Sequence, residues 1–240
     1  MVYWITGIRK ETGVYAMQHI FLDFEMNQIP RADRPEGSRM HSEIVEIGAV
    51  KLDEDYHQIE KFSCYVKPER ASICKKCTEL TGITDETVKD AKPLVQALGD
   101  FISFIGEGPV RIYSWSNTDL RQLKTECREK GIYPDGLQPP FRRWMDFQRI
   151  YTRLMGLSSR SRLSLKNAIG TVEEDFSGSQ HSAADDAENS ASLLTMVMRE
   201  PEEFARRTKV ITQSVNNKHP QQSTLGDMFP GLLGAFSEEE

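Results

Sequence analysis

From His19 to Met26 the chain is apolar except for two acids, Asp23 and Glu25, which stand two apart among Ile20, Phe21, Leu22, Phe24 and Met26. This pattern predicts a strand. Asn27 to Arg39 is polar and contains Pro30, Pro35 and Gly37, so it predicts a loop. Ser42 to Leu52 and Gln58 to Val66 predict two more strands, joined by the polar turn Asp53 to His57. Three antiparallel strands result. Helical signals follow at Cys74 to Leu80, at Thr84 to Lys89 and at Pro93 to Ile105. In the last of these Leu94, Val95, Leu98, Phe101, Ile102 and Ile105 mark one apolar face. Val110 to Trp115 predicts a fourth strand, Asp119 to Lys130 a helix, and Trp144 to Asp146 a short fifth strand. Helices are then expected at Phe147 to Met155, at Leu163 to Ile169 and at Ala183 to Met198, where Ala187, Ala191, Leu194 and Met198 form a seam. Three hairpin strands followed by alternating helix and strand describe an α/β fold, a mixed five-stranded sheet flanked by helices.

Beyond Lys209 the composition turns to Gln, Asn, Ser and Pro, and the chain ends in three glutamates. That composition predicts a tail. The expected organisation is an N-terminal extension over 1–17, a domain over 18–209 and a tail over 210–240.

The 240 residues are 38% hydrophobic and 28% charged, enough apolar material to form a core without staples. No apolar run approaches the roughly 18 residues of a membrane helix, and residues 1–17 lack the basic start and apolar middle of a signal peptide. A cytoplasmic address is therefore expected. Cys64, Cys74, Cys77 and Cys127 are few for this length and nothing suggests secretion, so reduced thiols are expected, and Cys74 and Cys77 find no second pair to close a zinc site. The net charge of −6 argues against gripping nucleic acid by bulk charge alone, but not against an enzyme that brings its own cations. One segment departs from this balance. Between Arg142 and Lys166 seven bases face the single acid Asp146, a local +6 that includes Arg160 and Arg162. Such a stretch is either a solvated helix face or a surface past which phosphates run.

Side chains two apart in a strand leave the same face, about 6.6–6.8 Å apart. Carboxylates so placed by Asp23 and Glu25 repel each other unless cations sit between them, and two magnesium ions about 3.5–4 Å apart fit the spacing. A solvent-facing edge strand also accommodates the pattern. Asp119 follows the fourth strand, where α/β sheets place ligand sites, though helix capping explains the position equally. In His181-Ser182-Ala183-Ala184-Asp185-Asp186, small residues let a helix lie close to a sheet. Asp186 could then face metals while His181 overhangs them. A free histidine titrates near about 6.5, which suits a base taking a proton from water.

Acid-x-acid, a middle Asp, then His with Asp five later resembles the DEDDh exonucleases, the DnaQ-like branch of the ribonuclease H-like fold. The likeness covers about residues 18–200. A sister group carries tyrosine four before the last acid, where this chain has Ser182. Phe21-Leu22-Asp23-Phe24-Glu25, Glu43 to Val50 and Leu80-Thr81-Gly82-Ile83-Thr84 resemble the branch of histone-mRNA, RNA-interference and KapD-like exoribonucleases. Ser114-Trp115 and Cys77 fit that branch too.

This resemblance implies a 3′→5′ exonuclease acting on single-stranded nucleic acid, RNA in preference to DNA, and releasing nucleoside 5′-monophosphates. Asp23, Glu25, Asp119 and Asp186 would hold two divalent cations, Mg²⁺ or Mn²⁺, and His181 would be the general base. Phe24 and Met26 would contact the terminal base, with core packing as the other reading. Gln222, Leu225, Met228 and Phe229 resemble a sliding-clamp-binding peptide, which would favour a DNA proofreading or repair enzyme instead. A KapD-like regulatory module is the third reading.

Overall fold

The chain is described by a computed structural model over residues 16–133, 142–158, 162–172 and 174–216. Strand β1 (Gln18–Gln28) is central, antiparallel to β2 (Ser42–Leu52) and parallel to β4 (Val110–Ser114). With β3 (Gln58–Tyr65) and β5 (Trp144–Asp146) the sheet runs in the order β3-β2-β1-β4-β5. The expected five strands and their mixed pairing are present. Loop 27–39 is shorter than expected, because β1 continues to Gln28, and its Arg31–Asp33 forms one 3₁₀ turn.

Alternation along β1 sorts its side chains between two cores. Ile20, Leu22 and Phe24 pack with Ile44, Ile47 and Ala49 of β2 against α3 (Leu94–Ile105) and α4 (Thr118–Lys130). Phe21 faces the other way. It joins Val50, Leu52 and Tyr113 beneath α5 (Phe147–Leu154), α6 (Leu165–Thr171) and α7 (Ala183–Arg199). Asp23 and Glu25 share the face of Phe21, so they point toward the α7 side. Between β3 and α3 lie two short helices, α1 (Lys75–Thr81) and α2 (Asp85–Val88). Cys74 caps the first with its thiol, and Thr84 closes a capping box on the second. The four cysteines form no disulfide.

Helix α8 (Pro201–Asn216), which the apolar periodicity did not announce, runs past residue 209. Pro201 suits a first helical position, Glu202 and Glu203 favour the positive end of the helix, and Phe204 and Thr208 are its buried contacts. Phe204 meets Tyr151 of α5 edge-on, with ring centroids 6.1 Å apart. Most of the N-terminal extension, together with Arg160 and the clamp-like Gln222, Leu225, Met228 and Phe229, lies outside the described residues.

Candidate active site

The site is built where β1, β2, the start of α4 and the start of α7 meet. In the antiparallel register Asp23 stands opposite Gly48, and Glu25 opposite Glu46. Opposed residues share a face, so Glu46 and Gly48 also look toward α7. A β-carbon on Gly48 would lie 2.0 Å from the amide nitrogen of Ala184 and 2.1 Å from the carbonyl carbon of Ala183. Only glycine leaves room there. Ala183 and Ala184 thus rest directly on β2, and the residues around them hang over the acids of β1.

Glu25, His181 and Asp186 gather so closely that one ligand atom from each lies within 4.8 Å of the others. His181 takes φ 64°, just ahead of Ser182 at the helix N-cap, and its side chain is exposed. Asp119 is buried in the first turn of α4, beside the main-chain N–H of Phe24 and the Ser114 side chain, whose hydroxyl donates to the Ser116 carbonyl at 2.5 Å. The Ser114 oxygen accepts in turn from Trp144 Nε1, 2.8 Å away.

Crowding raises every carboxyl group here. Burial lifts Asp23 well above the ordinary range, and the charges of Asp119, Asp186, Glu25 and Glu46 add to it. Glu25 is pushed up to about 8 by burial and then by Asp186, Glu46 and Asp119. Burial lifts Asp119 to about 7 against the donors that favour its charge. Asp186 rises to about 6 by burial, with His181 pulling the other way. Carboxylates placed so that each disfavours its neighbour's charge need positive charge among them. The donor set fits a divalent cation on a second ground: Oδ1 of Asp186 is buried and has no hydrogen-bond partner among the described residues. A buried carboxylate oxygen left open is a ligand position.

All five expected residues, Asp23, Glu25, Asp119, His181 and Asp186, are thus brought together. Of the two readings for Phe24, the structure takes core packing for the side chain. Its side chain is 4% exposed in the core beneath α3 and α4, and only its backbone reaches the site. The apolar residues next to Asp23 alternate to the opposite face, which makes Phe24 core. Met26 is half-buried against the same core, past a register shift between Glu25 and Met26.

The basic segment divides. Arg142 and Arg143 lie before β5, at the end of the sheet away from the acids, whereas Arg149 is in the first turn of α5 at the opposite end. The Leu163 carbonyl accepts from Trp115 Nε1 at 3.1 Å and from Gln148 Nε2 at 2.6 Å, which holds exposed Arg162 beside the end of β4. Glu46 was not anticipated. Its signal was an acid inside the apolar run Ile44-Val45-Glu46-Ile47, but its place opposite Glu25 needs the register.

Residues 20–194 match the family described as Exonuclease, RNase_T. The chain belongs to this exonuclease family. It is 31% identical over 188 residues to ERI1 exoribonuclease 2 of Xenopus laevis, covering 68% of the chain and 26% of that protein. The chain therefore spans about a quarter of that relative's length. It is 27% identical over 180 residues to the probable 3′-5′ exonuclease KapD of Bacillus subtilis, covering 74% of the chain and 83% of KapD. The nuclease domain of 3′hExo, a DEDDh family member solved bound to rAMP, superposes with a TM-score of 0.64 at 22% identity. That likeness covers 79% of the chain and 95% of the domain, and it shows a shared fold. The exonuclease family membership, its DEDDh branch and the ribonuclease H-like fold all agree with the expectation from the motifs. Enzymes of this branch depend on divalent metal. Among the described residues no helix is long and apolar enough to cross a membrane.

Proposed function

We propose that this exonuclease removes nucleotides one at a time from the 3′ end of single-stranded RNA, using two Mg²⁺ or Mn²⁺ ions. The observation that carries the reading is the convergence of Asp23, Glu25, Asp119 and Asp186 with His181, including the open Oδ1 of Asp186. RNA is favoured over DNA by the likeness to ERI1 exoribonuclease 2.

In this reading Asp23, Glu25, Asp119 and Asp186 hold the cations. When bound, two divalent ions make water a better nucleophile and steady the charge that develops on the leaving 3′ oxygen. His181, exposed at the mouth of the site, takes the proton from the attacking water. The water oxygen bonds to phosphorus, the bond from phosphorus to the 3′ oxygen breaks, and a nucleoside 5′-monophosphate leaves. The main-chain N–H of Phe24 favours the charged form of Asp119. Arg149 and Arg162 lie where they could meet phosphates of the incoming strand.

The test is a panel of matched single- and double-stranded RNA and DNA oligomers with Mg²⁺ or Mn²⁺, scored by mononucleotide release. Single-stranded RNA is expected to be cleaved fastest, and Asp23→Ala to lose at least about 10³-fold in rate. Undiminished release by Asp23→Ala would remove the assignment, and faster cleavage of DNA would move it to proofreading or repair. In the same oligomers, reversing Arg149 and Arg162 to Glu is expected to weaken binding and flatten its salt dependence. An unchanged salt slope would exclude those two arginines from the phosphate path.

A further inference from the structure

Helix α7 and the turn just before it deliver two of the five site residues, so whatever fixes the first turn of the helix also places His181 and Asp186. The first turn of a helix leaves four N–H groups without partners inside the helix, and a side chain at the N-cap ordinarily takes one. Here the N-cap residue, Ser182, makes no such bond. The N–H of Ala183 donates to Oε2 of Glu46, 3.3 Å away, across from a strand distant in sequence. The other oxygen of Glu46 accepts from Ser63 Oγ of β3, also at 3.3 Å.

Glu46 is 5% exposed and stands opposite Glu25 in the sheet. The N–H it accepts from lies between His181 and Asp186 in the chain. Gly48, two residues along the same strand face, is the point on which Ala183 and Ala184 rest. One strand therefore provides both the surface that α7 lies on and the acceptor that locks its end. We propose that Glu46 is a positioning residue: it caps α7 from the sheet and thereby holds His181 and Asp186 against Asp23 and Glu25.

A second tether on the same turn offers a comparison. Lys61 of β3 bonds Asp185 at 2.9 Å and Glu188 at 2.7 Å, on the outer, solvent-exposed side of the helix. It anchors α7 without reaching the site. Exposed ion pairs contribute little, so loss of Lys61 leaves the inner face of the turn in place. Loss of the buried cap does not.

The inference rests on the nuclease reading, and the test separates the two. Turnover of a 3′-labelled RNA oligomer at saturating Mg²⁺ is measured for wild type, Glu46→Gln, Glu46→Asp and Lys61→Met, with melting temperatures for each. Glutamine keeps the length and an oxygen for the Ala183 N–H but loses the charge. Aspartate keeps the charge and falls short of the N–H by one methylene.

Capping predicts that Glu46→Asp loses about 10²-fold in kcat, as a displacement of about 1 Å can, with KM changed less than about threefold. Glu46→Gln should then turn over at least about tenfold faster than Glu46→Asp, and Lys61→Met should stay within about threefold of wild type. Aspartate matching or exceeding glutamine would show that charge, not reach, matters, and would overturn the proposal. So would kcat within threefold of wild type for both Glu46 variants. A folded wild-type chain without any release would instead overturn the nuclease reading itself.

Discussion

His181 carries its side chain on a left-handed backbone with φ 64°, a conformation that costs a non-glycine residue free energy. The cost is met because the turn before α7 must bring an exposed imidazole over Glu25 and Asp186. Since the ring is exposed, His181→Ala is expected to keep the fold and to lose about 10²–10⁴-fold in kcat. Kinetics with and without added imidazole check this. Partial rescue supports a base at this position, whereas unchanged kcat in the variant assigns the proton elsewhere. At this scale the five site residues were legible because their chemistry sets their spacing. Two acids alternate to one strand face, one acid follows a strand, and a histidine stands five before another acid. Phe24 read ambiguously because alternation puts it on the face opposite Asp23 and Glu25, but the sequence does not tell that helices cover that face. Glu46 was illegible because a lone acid in an apolar strand acquires meaning only from what stands across from it.

The contact between α7 and β2 shows how an element is placed by the absence of a side chain. Gly48→Ala would put a methyl group 2.0 Å from the Ala184 nitrogen, so the helix must move away from the sheet. Overpacking of this kind typically costs about 1–3 kcal/mol, and a shift of about 1 Å at His181 and Asp186 can cost 10²-fold in rate. The variant is expected to melt lower and to lose that much activity, as thermal melts and single-turnover release can show. Wild-type rates in a folded Gly48→Ala chain would mean that the close approach is not what sets the site. The strands were legible as mostly apolar runs bounded by polar turns, and most helices from periodicity, since α3 has one apolar face. Helix α8 was not. Half of its first ten residues are charged, and among its described side chains only Phe204 and Thr208 are buried.

For the whole molecule, the clustered acids make stability depend on pH and on cations together. Glu25 rises from 4.5 to about 8, Asp119 from 3.8 to about 7 and Asp186 from 3.8 to about 6. Between those limits the folded chain holds more protons than the unfolded one. Its stability therefore falls as pH rises through that window. Below about pH 4 both states are protonated and this contribution is fully present; by pH 8 it is largely lost. Divalent cations replace the missing protons. The metal-free chain is thus expected to melt lower at pH 8 than at pH 5, and Mg²⁺ to raise the melting temperature by several degrees at pH 8 and little at pH 5. Calorimetry decides it, and equal shifts at both pH values would separate cation binding from these carboxylates.

The central claim is that Asp23, Glu25, Asp119 and Asp186 converge to hold two cations. Anomalous diffraction from crystals grown with Mn²⁺ and a nucleoside 5′-monophosphate tests it most directly. Two manganese peaks about 3.5–4 Å apart are expected, contacting these four carboxylates and including Oδ1 of Asp186. Manganese bound elsewhere on the protein, with these four side chains free of it, would mean that the acids do not form a two-cation site.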